Sequence, residues 1–447
     1  MTDRKTLIDL FHTALAAVDS YSAVLNTARI EHDQLRVTGA SYELAAFSRI
    51  IVIGAGKATA RMALAIETLL GKRITEGLIV VKDGHTFPLS IIEQVEAAHP
   101  VPNAAGLDGT QRMLQLLHDC DEKTLVICLL SGGASALLVA PVDGITLQDK
   151  QETTRLLLNA GASINELNTV RKHLSKVKGG RLAQAAIPAR LVTLILSDVI
   201  GDPLDVIASG PTAPDSSTFA EAYAVVVKYR LKNTLPPCVL EHLQRGCAGQ
   251  VAETVKRNAS CFATTHNVIV GSNRQALEAA EQSATQLGYS AKIISSTQQG
   301  EARVVARSLA QTVCSELAAM QAGERRCLLC GGETTVTVRG NGKGGRNQEL
   351  ALAFALEIAG MQGISLFSTG TDGSDGPTDA AGAMVDGDTT AKAKRFGLDP
   401  QSYLDNNDSY SFFQKLDAAS GGHHHFKTGP TETNVMDIQI ILLDKQV

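Results

Sequence analysis

A short apolar run that breaks at glycine or serine and then turns helical recurs along the first half of this chain. Residues 50–54 (IIVIG) lead into KATARMALAIETLL, 124–130 (TLVICLL) into SGGASALL, and 191–196 (LVTLIL) into SDVIGDP. Apolar runs without polar alternation are what strands buried on both faces require. Their alternation with helices predicts a doubly wound α/β sheet from about residue 45 to 230. Aromatic residues make up only 4% of the 447 and Trp is absent, so the cores must be built from Val, Ile, Leu and Ala. That supply suits strands covered by helices.

The stretch 146–180 reads as two helices, with Gly179-Gly180 as a C-cap. Residues 231–261 hold Pro236-Pro237, a short helical pattern and polar filler, and mark the domain junction. The chain is therefore divided into residues 1–240 and 241–447. The second half repeats the strand–glycine–helix device. It begins with HNVIV (266–270) and a helix over 272–287, then AKIIS and a helix over 300–320. The hairpin-like RCLLCGGETTVTVRG follows, then the helix NQELALAFALEIAG and the strands ISLFSTG and DIQIILL. Each domain is expected to hold a mainly parallel or mixed sheet covered by helices.

A net charge of −5 argues against a nucleic-acid or membrane-surface partner. The amino terminus, MTDRKTLIDLFHTAL, is charged and unlike a secretory signal, and no run reaches the ~18 apolar residues of a membrane span. A cytoplasmic location is expected. Eight scattered cysteines do not form a disulfide framework. Cys327 and Cys330 form a CxxC inside a strand, where residues three apart face opposite ways, so they read as core cysteines. His423–His425 reads as a polar loop.

Ligands of open α/β sheets bind at the carboxyl ends of strands, where glycine lets the backbone approach a phosphate. Four loops fit. Gly54-Ala55-Gly56-Lys57 resembles a dinucleotide fingerprint, but Thr59 holds the third glycine position and the Walker spacing is missing. Lys57 either neutralises a phosphate or acidic substrate or is an exposed lysine in a tight turn. Ser131-Gly132-Gly133-Ala134-Ser135 either cradles phosphate oxygens or permits a close helix–strand approach. Asp198 and Asp202, in SDVIGDP, are candidates for holding Mg²⁺ or taking a hydroxyl proton, and Asp is also a common turn residue. In GGETTVTVRGNGKGGRNQE, Glu333 follows two glycines, and Arg346, Asn347 and Gln348 cluster at a helix start. Arg346 suits bidentate contact with phosphate or carboxylate. Asp372, Asp375 and Asp379 lie in a glycine-rich loop without EF-hand spacing. Arg171, Lys172, Lys176, Lys178 and Arg181 read mainly as a solvated basic helix end, although Asn168, Arg171, Ser175 and Lys178 share a face suited to an anion.

Nine segments in order resemble the class II glycerate 2-kinases with a MOFRL-type carboxy-terminal domain. They are VIGAGKA (52–58), HPVPNAAG (99–106), LLSGGASALL (129–138), NTVRKHLSKVKGGRLA (168–183) and LSDVIGDPLDVIASGPTAPD (196–215), followed by GGETTVTVRGNGKGGRNQE (331–349), GTDGSDGPTDAAGA (370–383), NNDSY (406–410) and TGPTETNV (428–435). The resemblance implies transfer of the ATP γ-phosphoryl to the 2-hydroxyl of D-glycerate, with Mg²⁺. It also implies an N-terminal Rossmann-like domain, a C-terminal MOFRL-type domain and an active site in the cleft between them. The family's active-site lysine and arginine fall on Lys57 and Arg346, and its carboxylates on Glu333, Asp198 and Asp202. The catalytic set expected is therefore Lys57, Arg346, Asp198 and Asp202, with Asp198 as metal ligand. The substrate- or nucleotide-binding set is Gly54, Gly56, Ser131, Gly132, Gly133, Glu333, Asn347, Asp372 and Asn434. Glu432 and Met436 depart from the family's GPTGTNVND.

Expected partners are D-glycerate and a nucleotide, with a homodimer as the allowed assembly. The alternative enzyme is an NAD(P)H-dependent hydroxypyruvate reductase. Against it stand the missing third glycine and the Lys82 that ends the second strand, although Asp83 follows closely. A sugar-acid-sensing regulatory module is the non-enzyme alternative, and the chain lacks a DNA-binding motif to support it.

Overall fold

The computed structural model describes residues 2–446. It contains two units, one of residues 20–270 and one of residues 1–19 with 271–447. Within the first, β1 (Ala28–Glu31), β2 (Gln34–Val37) and β3 (Ala40–Glu43) form a small antiparallel sheet.

The main sheet of that unit holds β4 (Arg49–Ala55), β5 (Glu76–Lys82), β6 (Ile92–Ala97), β7 (Thr124–Leu130), β8 (Arg190–Leu196) and β9 (Thr265–Gly271). Its order is β6-β5-β4-β7-β8-β9, with β6 through β8 parallel. This is the Rossmann order, and the strand direction of travel reverses between β4 and β7. Every residue of β7 is buried, as its unbroken apolar run requires.

The second unit carries a mixed sheet of β10 (Ser290–Glu301), β11 (Arg325–Thr335), β12 (Ile364–Gly370), β13 (Gly382–Asp386), β14 (His425–Phe426) and β15 (Asp437–Asp444). Its order is β10-β11-β15-β12-β13-β14. The last strand, β15, inserts antiparallel between β11 and β12, so Asp437 starts its strand opposite Gly332 on one side and Gly370 on the other.

The structure departs from several expectations. The compact units divide at 270/271, so the expected junction at 240/241 falls inside the first unit. The helix Pro237–Cys247 buries Val239 and Leu243 against Phe219 and Val226 of the first unit, and β9 completes that unit's sheet. The amino-terminal helix Thr2–Ala17 belongs to the second unit. Its Leu7, Leu10, Phe11 and Ala14 line one helical face and are buried, with Phe11 edge-on to Phe367 and Phe426. The expected hairpin after Arg325 is one long strand, β11, parallel to β10 along most of its length. Cys327 and Cys330 are both buried in it. His425 begins the short β14 instead of lying in a loop, and the Asp417 carboxylate accepts from the backbone amides of His424 and His425. None of the described helices is long and apolar enough to cross a membrane.

Candidate functional site

In the first unit, the loops after β4 and β7 meet where the strand order reverses. Gly54 and Gly56 bring their backbone against Leu129 and Ser131, leaving no room for a Cβ. The Lys57 amide donates to Gly132 O at 2.9 Å, and the Ala58 amide donates to Ser131 Oγ at 3.1 Å. Thr59 Oγ1 lies 3.0 Å from the same serine oxygen. Ser131 is thus buried, and its hydroxyl ties the two loops together. Those amides are also consumed by the protein, so the first loop offers its lysine rather than its backbone.

The second loop differs. No hydrogen bond engages the amides of Gly132 or Gly133 among the described residues. Gly133 has φ 85°, the left-handed conformation that favours glycine, and turns its α-carbon toward His99 and Lys57. A Cβ there would sit 3.2 Å from His99 Nε2 and 3.3 Å from Lys57 Cε. A Cβ on Gly132 would overlap the Asp198 carboxylate. Lys57, Asp198, Gly132 and Gly133 are therefore brought together. The half-buried Lys57 ammonium has no ion-pair or hydrogen-bond partner among the described residues. Burial pushes the Asp198 carboxyl above its ordinary range, with Lys57 opposing. His99 belongs here too and was not among the residues the sequence singled out. Burial, then Lys57, Lys82 and His85, lower it to about 4, so it is neutral at physiological pH. The signal was present in HPVPNAAG, which follows β6. Asp202 occupies a left-handed turn position, φ 54°, its amide donating to Val199 O at 3.1 Å. This turn role is the Asp habit that competes with a catalytic one.

The second unit assembles another charged centre. Arg346 opens the helix Arg346–Glu357 and grips Asp437 with two hydrogen bonds, Nε to Oδ2 at 2.6 Å and Nη2 to Oδ1 at 3.0 Å. Its third nitrogen reaches Glu333 Oε1 at 2.8 Å. Burial alone would lower the Arg346 pKa, but Asp437 and then Glu333 and Asp375 raise it, so the guanidinium stays charged. Asn347 donates to Asp437 Oδ1 at 2.9 Å and accepts from Ser368 Oγ at 2.7 Å. The Asp375 carboxylate caps the helix, accepting from the amides of Asn347 at 3.0 Å and Gln348 at 2.9 Å. Asp372 and Asn434 each shape a local turn, accepting from the amides of Ser374 and Met436. Asp437, fully buried, is the residue sequence reasoning missed; it closes the departed segment TGPTETNVMD.

The basic stretch around residue 171 is only partly solvated, with Lys176 exposed. Its helix ends at His173, and Lys172, Ser175 and Lys178 are buried. Lys172 is paired with Asp215 at 3.1 Å.

Nucleotide-borne Mg²⁺ needs only one or two protein carboxylates, its other ligands being phosphate oxygens and water. Asp198, pressed against the second glycine loop, is the carboxylate that would supply one. No group of three His, Cys, Asp or Glu suited to an all-protein metal cage occurs among the described residues.

Residues 6–244 match a family described as a domain of unknown function (DUF4147), and residues 326–437 match the MOFRL family. The chain is 44% identical to a D-glycerate 2-kinase of Thermotoga maritima, over 88% of this chain and 91% of that protein. It is 41% identical to an Agrobacterium vitis protein whose name proposes a hydroxypyruvate reductase, over 88% of this chain and 99% of that one. The crystal structure of a glycerate kinase from Thermotoga maritima superposes with a TM-score of 0.86 at 40% identity, covering 99% of each chain. The chain belongs to the class II glycerate 2-kinase family, with a MOFRL domain in its second half.

Proposed function

We propose that this protein transfers the γ-phosphoryl group of ATP to the 2-hydroxyl of D-glycerate, giving 2-phosphoglycerate. The observation that carries the reading is the uncommitted pair of amides at Gly132 and Gly133 beside the unpaired Lys57, in a chain 44% identical to a D-glycerate 2-kinase. Phosphoryl transfer asks the protein for positioning and charge stabilisation more than for covalent chemistry. Two free N–H groups and an ammonium supply both for an oxyanion. Arg346, charged and held at two points by Asp437, is a fixed cation of the kind that binds phosphate or carboxylate.

Asp198 has two duties open to it. As the residue that would hold Mg²⁺, it would anchor an ion that neutralises phosphate charge. As a general base, it would take the 2-hydroxyl proton, a task that its raised pKa favours. Asp198→Asn separates them. A ligand role raises the Mg²⁺ concentration needed for half-maximal rate. A base role lowers kcat at saturating Mg²⁺ and removes the acidic limb of the pH profile.

The same reading keeps the partners to a hydroxy acid and a nucleotide, in the cytoplasm, with a homodimer as the assembly that light scattering would test. A reductase would need the dinucleotide loop to present its amides, and here Gly132 O and Ser131 Oγ take those of Lys57 and Ala58. The deciding experiment incubates the protein with D-glycerate and Mg-ATP and identifies the product by phosphorus NMR. A parallel arm uses hydroxypyruvate with NADH or NADPH. ADP with 2-phosphoglycerate supports the proposal; nicotinamide oxidation without ADP overturns it.

A further inference from the structure

Charged side chains enter a protein interior with a partner of opposite sign, because an unpaired buried charge is costly. Lys172 obeys this, with Asp215 at 3.1 Å and Asp205 at 3.6 Å. Three other cations of the same unit do not. Lys150 is 3% exposed and its ammonium has no hydrogen-bond partner among the described residues. Arg171 donates to Ser135 O at 2.8 Å, yet its buried Nε has no partner among the described residues. Lys178 is 0% exposed and donates to Ser135 O at 2.8 Å, with Ser135 Oγ and Ala208 O each 3.3 Å away. Among the described residues, no carboxylate lies within ion-pair distance of any of the three. They act on one another instead: Arg171 lowers Lys150, and both lower Lys178, after burial as the first cause.

A polar wall adjoins this unbalanced charge. Ser135 Oγ lies 2.6 Å from Ser209 Oγ, which donates to Asn168 Oδ1 at 3.2 Å. Ala208 and Ser209 are both held at positive φ, 54° and 63°, a conformation costly for non-glycine residues. Ser135 and Arg171 remain partly exposed.

We propose that Lys150, Arg171 and Lys178, with the wall of Ser135, Ser209 and Asn168, form an oxyanion subsite that takes the carboxylate of the hydroxy-acid substrate. The choice of that acid rests on the kinase reading above. An oxyanion satisfies both orphaned donors and neutralises charge that the chain leaves unbalanced. Guanidinium and carboxylate match in planar, two-point geometry. Ser135 also follows Gly133 by two residues in the short helix Ala134–Leu137, a rise of about 3 Å. The carboxylate of a 2-hydroxy acid is attached to the carbon that bears the reacting hydroxyl. The subsite's Ser135 therefore lies only two residues along the chain from the free amides of Gly132 and Gly133.

The test is calorimetric titration of the full chain with D-glycerate, with and without a non-hydrolysable ATP analogue, and separately with inorganic phosphate. Wild type is compared with Lys150→Met and, should that variant fold poorly, Arg171→Met. The expected result is a rise of about tenfold or more in the D-glycerate Kd, the usual consequence of losing a hydrogen bond to a charged group. Thermal unfolding without ligand supplies the second readout. A ligand-binding lysine is an unpaid charge in the empty protein, so Lys150→Met should melt higher than wild type; a structural lysine predicts a lower Tm. An unchanged D-glycerate Kd in the variants overturns the proposal. Loss of phosphate binding with D-glycerate binding intact overturns the carboxylate assignment and gives the subsite to a phosphoryl group. Wild type that binds D-glycerate, loses it in the variants and yet forms no ADP sinks the kinase reading alone.

Discussion

The Asp198 carboxylate lies directly against the α-carbon of Gly132, close enough that any side chain at 132 would collide with it. The contact spans two loops, after β7 and after β8, and sets how close a bound phosphate at the Gly132 amide comes to the carboxylate. Gly132→Ala must push the two apart. Overpacking of this kind costs about 1–3 kcal/mol of stability. Turnover should fall far more than folding, by well over tenfold, because small misplacements at a reacting centre are expensive. Urea unfolding beside steady-state kinetics checks the split; a variant with wild-type kcat would show that the contact is packing only.

Lys57 offers the complementary case, a side chain with function and little structural duty. Its ammonium makes no hydrogen bond or ion pair among the described residues and only opposes the burial of Asp198 through space, so Lys57→Met should cost no more than about 1 kcal/mol of stability. Its kcat should nevertheless drop at least tenfold, as the loss of one preorganised charge at a transition state implies. Near-normal turnover in Lys57→Met would remove this residue from the mechanism.

His99 faces Lys57 across Gly133 and is held neutral, at about 4. The pH profile of kcat/KM between pH 5.5 and 8 should therefore show no limb belonging to this imidazole. His99→Gln should change its height and not its shape. A limb near 6.5 that vanishes in the variant would place a titrating histidine at the site.

What the sequence disclosed and what it hid divide on physical lines. The β4 and β7 loops were legible because their meaning is local: an apolar run, then glycine, then a helix start. Lys57 and Gly132 were visible for that reason. The role of Ser131 was not, since whether a serine faces a ligand or the neighbouring loop depends on Thr59 and Ala58, more than seventy residues earlier. Lys178 looked like part of a solvated helix end because nothing near it in sequence betrays its burial; Ser135 and Ala208 enclose it from distant segments. The placement of Phe11 between Phe367 and Phe426 is equally non-local, and it defeats any division of the chain by linker composition. Asp437 carries no local signal, because its burial comes from β15 inserting between β11 and β12, opposite Gly332 and Gly370.

Arg346 and Asp437 should behave as a coupled pair. Arg346→Met leaves Asp437 buried without its cation, and breaking a buried pair from one side costs about 3–5 kcal/mol. Burial already raises the Asp437 carboxyl, and without Arg346 nothing comparable opposes it. A raised carboxyl binds its proton in the folded state at a pH where the unfolded chain has released it, so stability falls as pH rises. The variant's deficit should therefore grow with pH, and Arg346→Met/Asp437→Asn should recover much of it. Urea midpoints of the four proteins at two pH values complete the cycle; strict additivity would show that the two residues are not coupled.

Lys150 carries the opposite sign. Burial, with Arg171 beside it, lowers its ammonium to about 7, and Lys178 is the other cation in reach. The unfolded chain holds that proton up to ~10.4. Between those values the unfolded state binds more protons, so the Lys150 contribution to stability rises with pH at up to about 1.4 kcal/mol per unit. Below pH 7 both states are charged and the whole cost of the buried charge is present. The stability gained by Lys150→Met should thus be largest near pH 6 and fade toward pH 10. A bound carboxylate reverses the balance by favouring the charged lysine. D-glycerate binding at pH 8 should then take up protons, and this appears as a dependence of the calorimetric enthalpy on the buffer's ionisation enthalpy. That dependence should disappear in Lys150→Met; its persistence unchanged would assign the proton to another group.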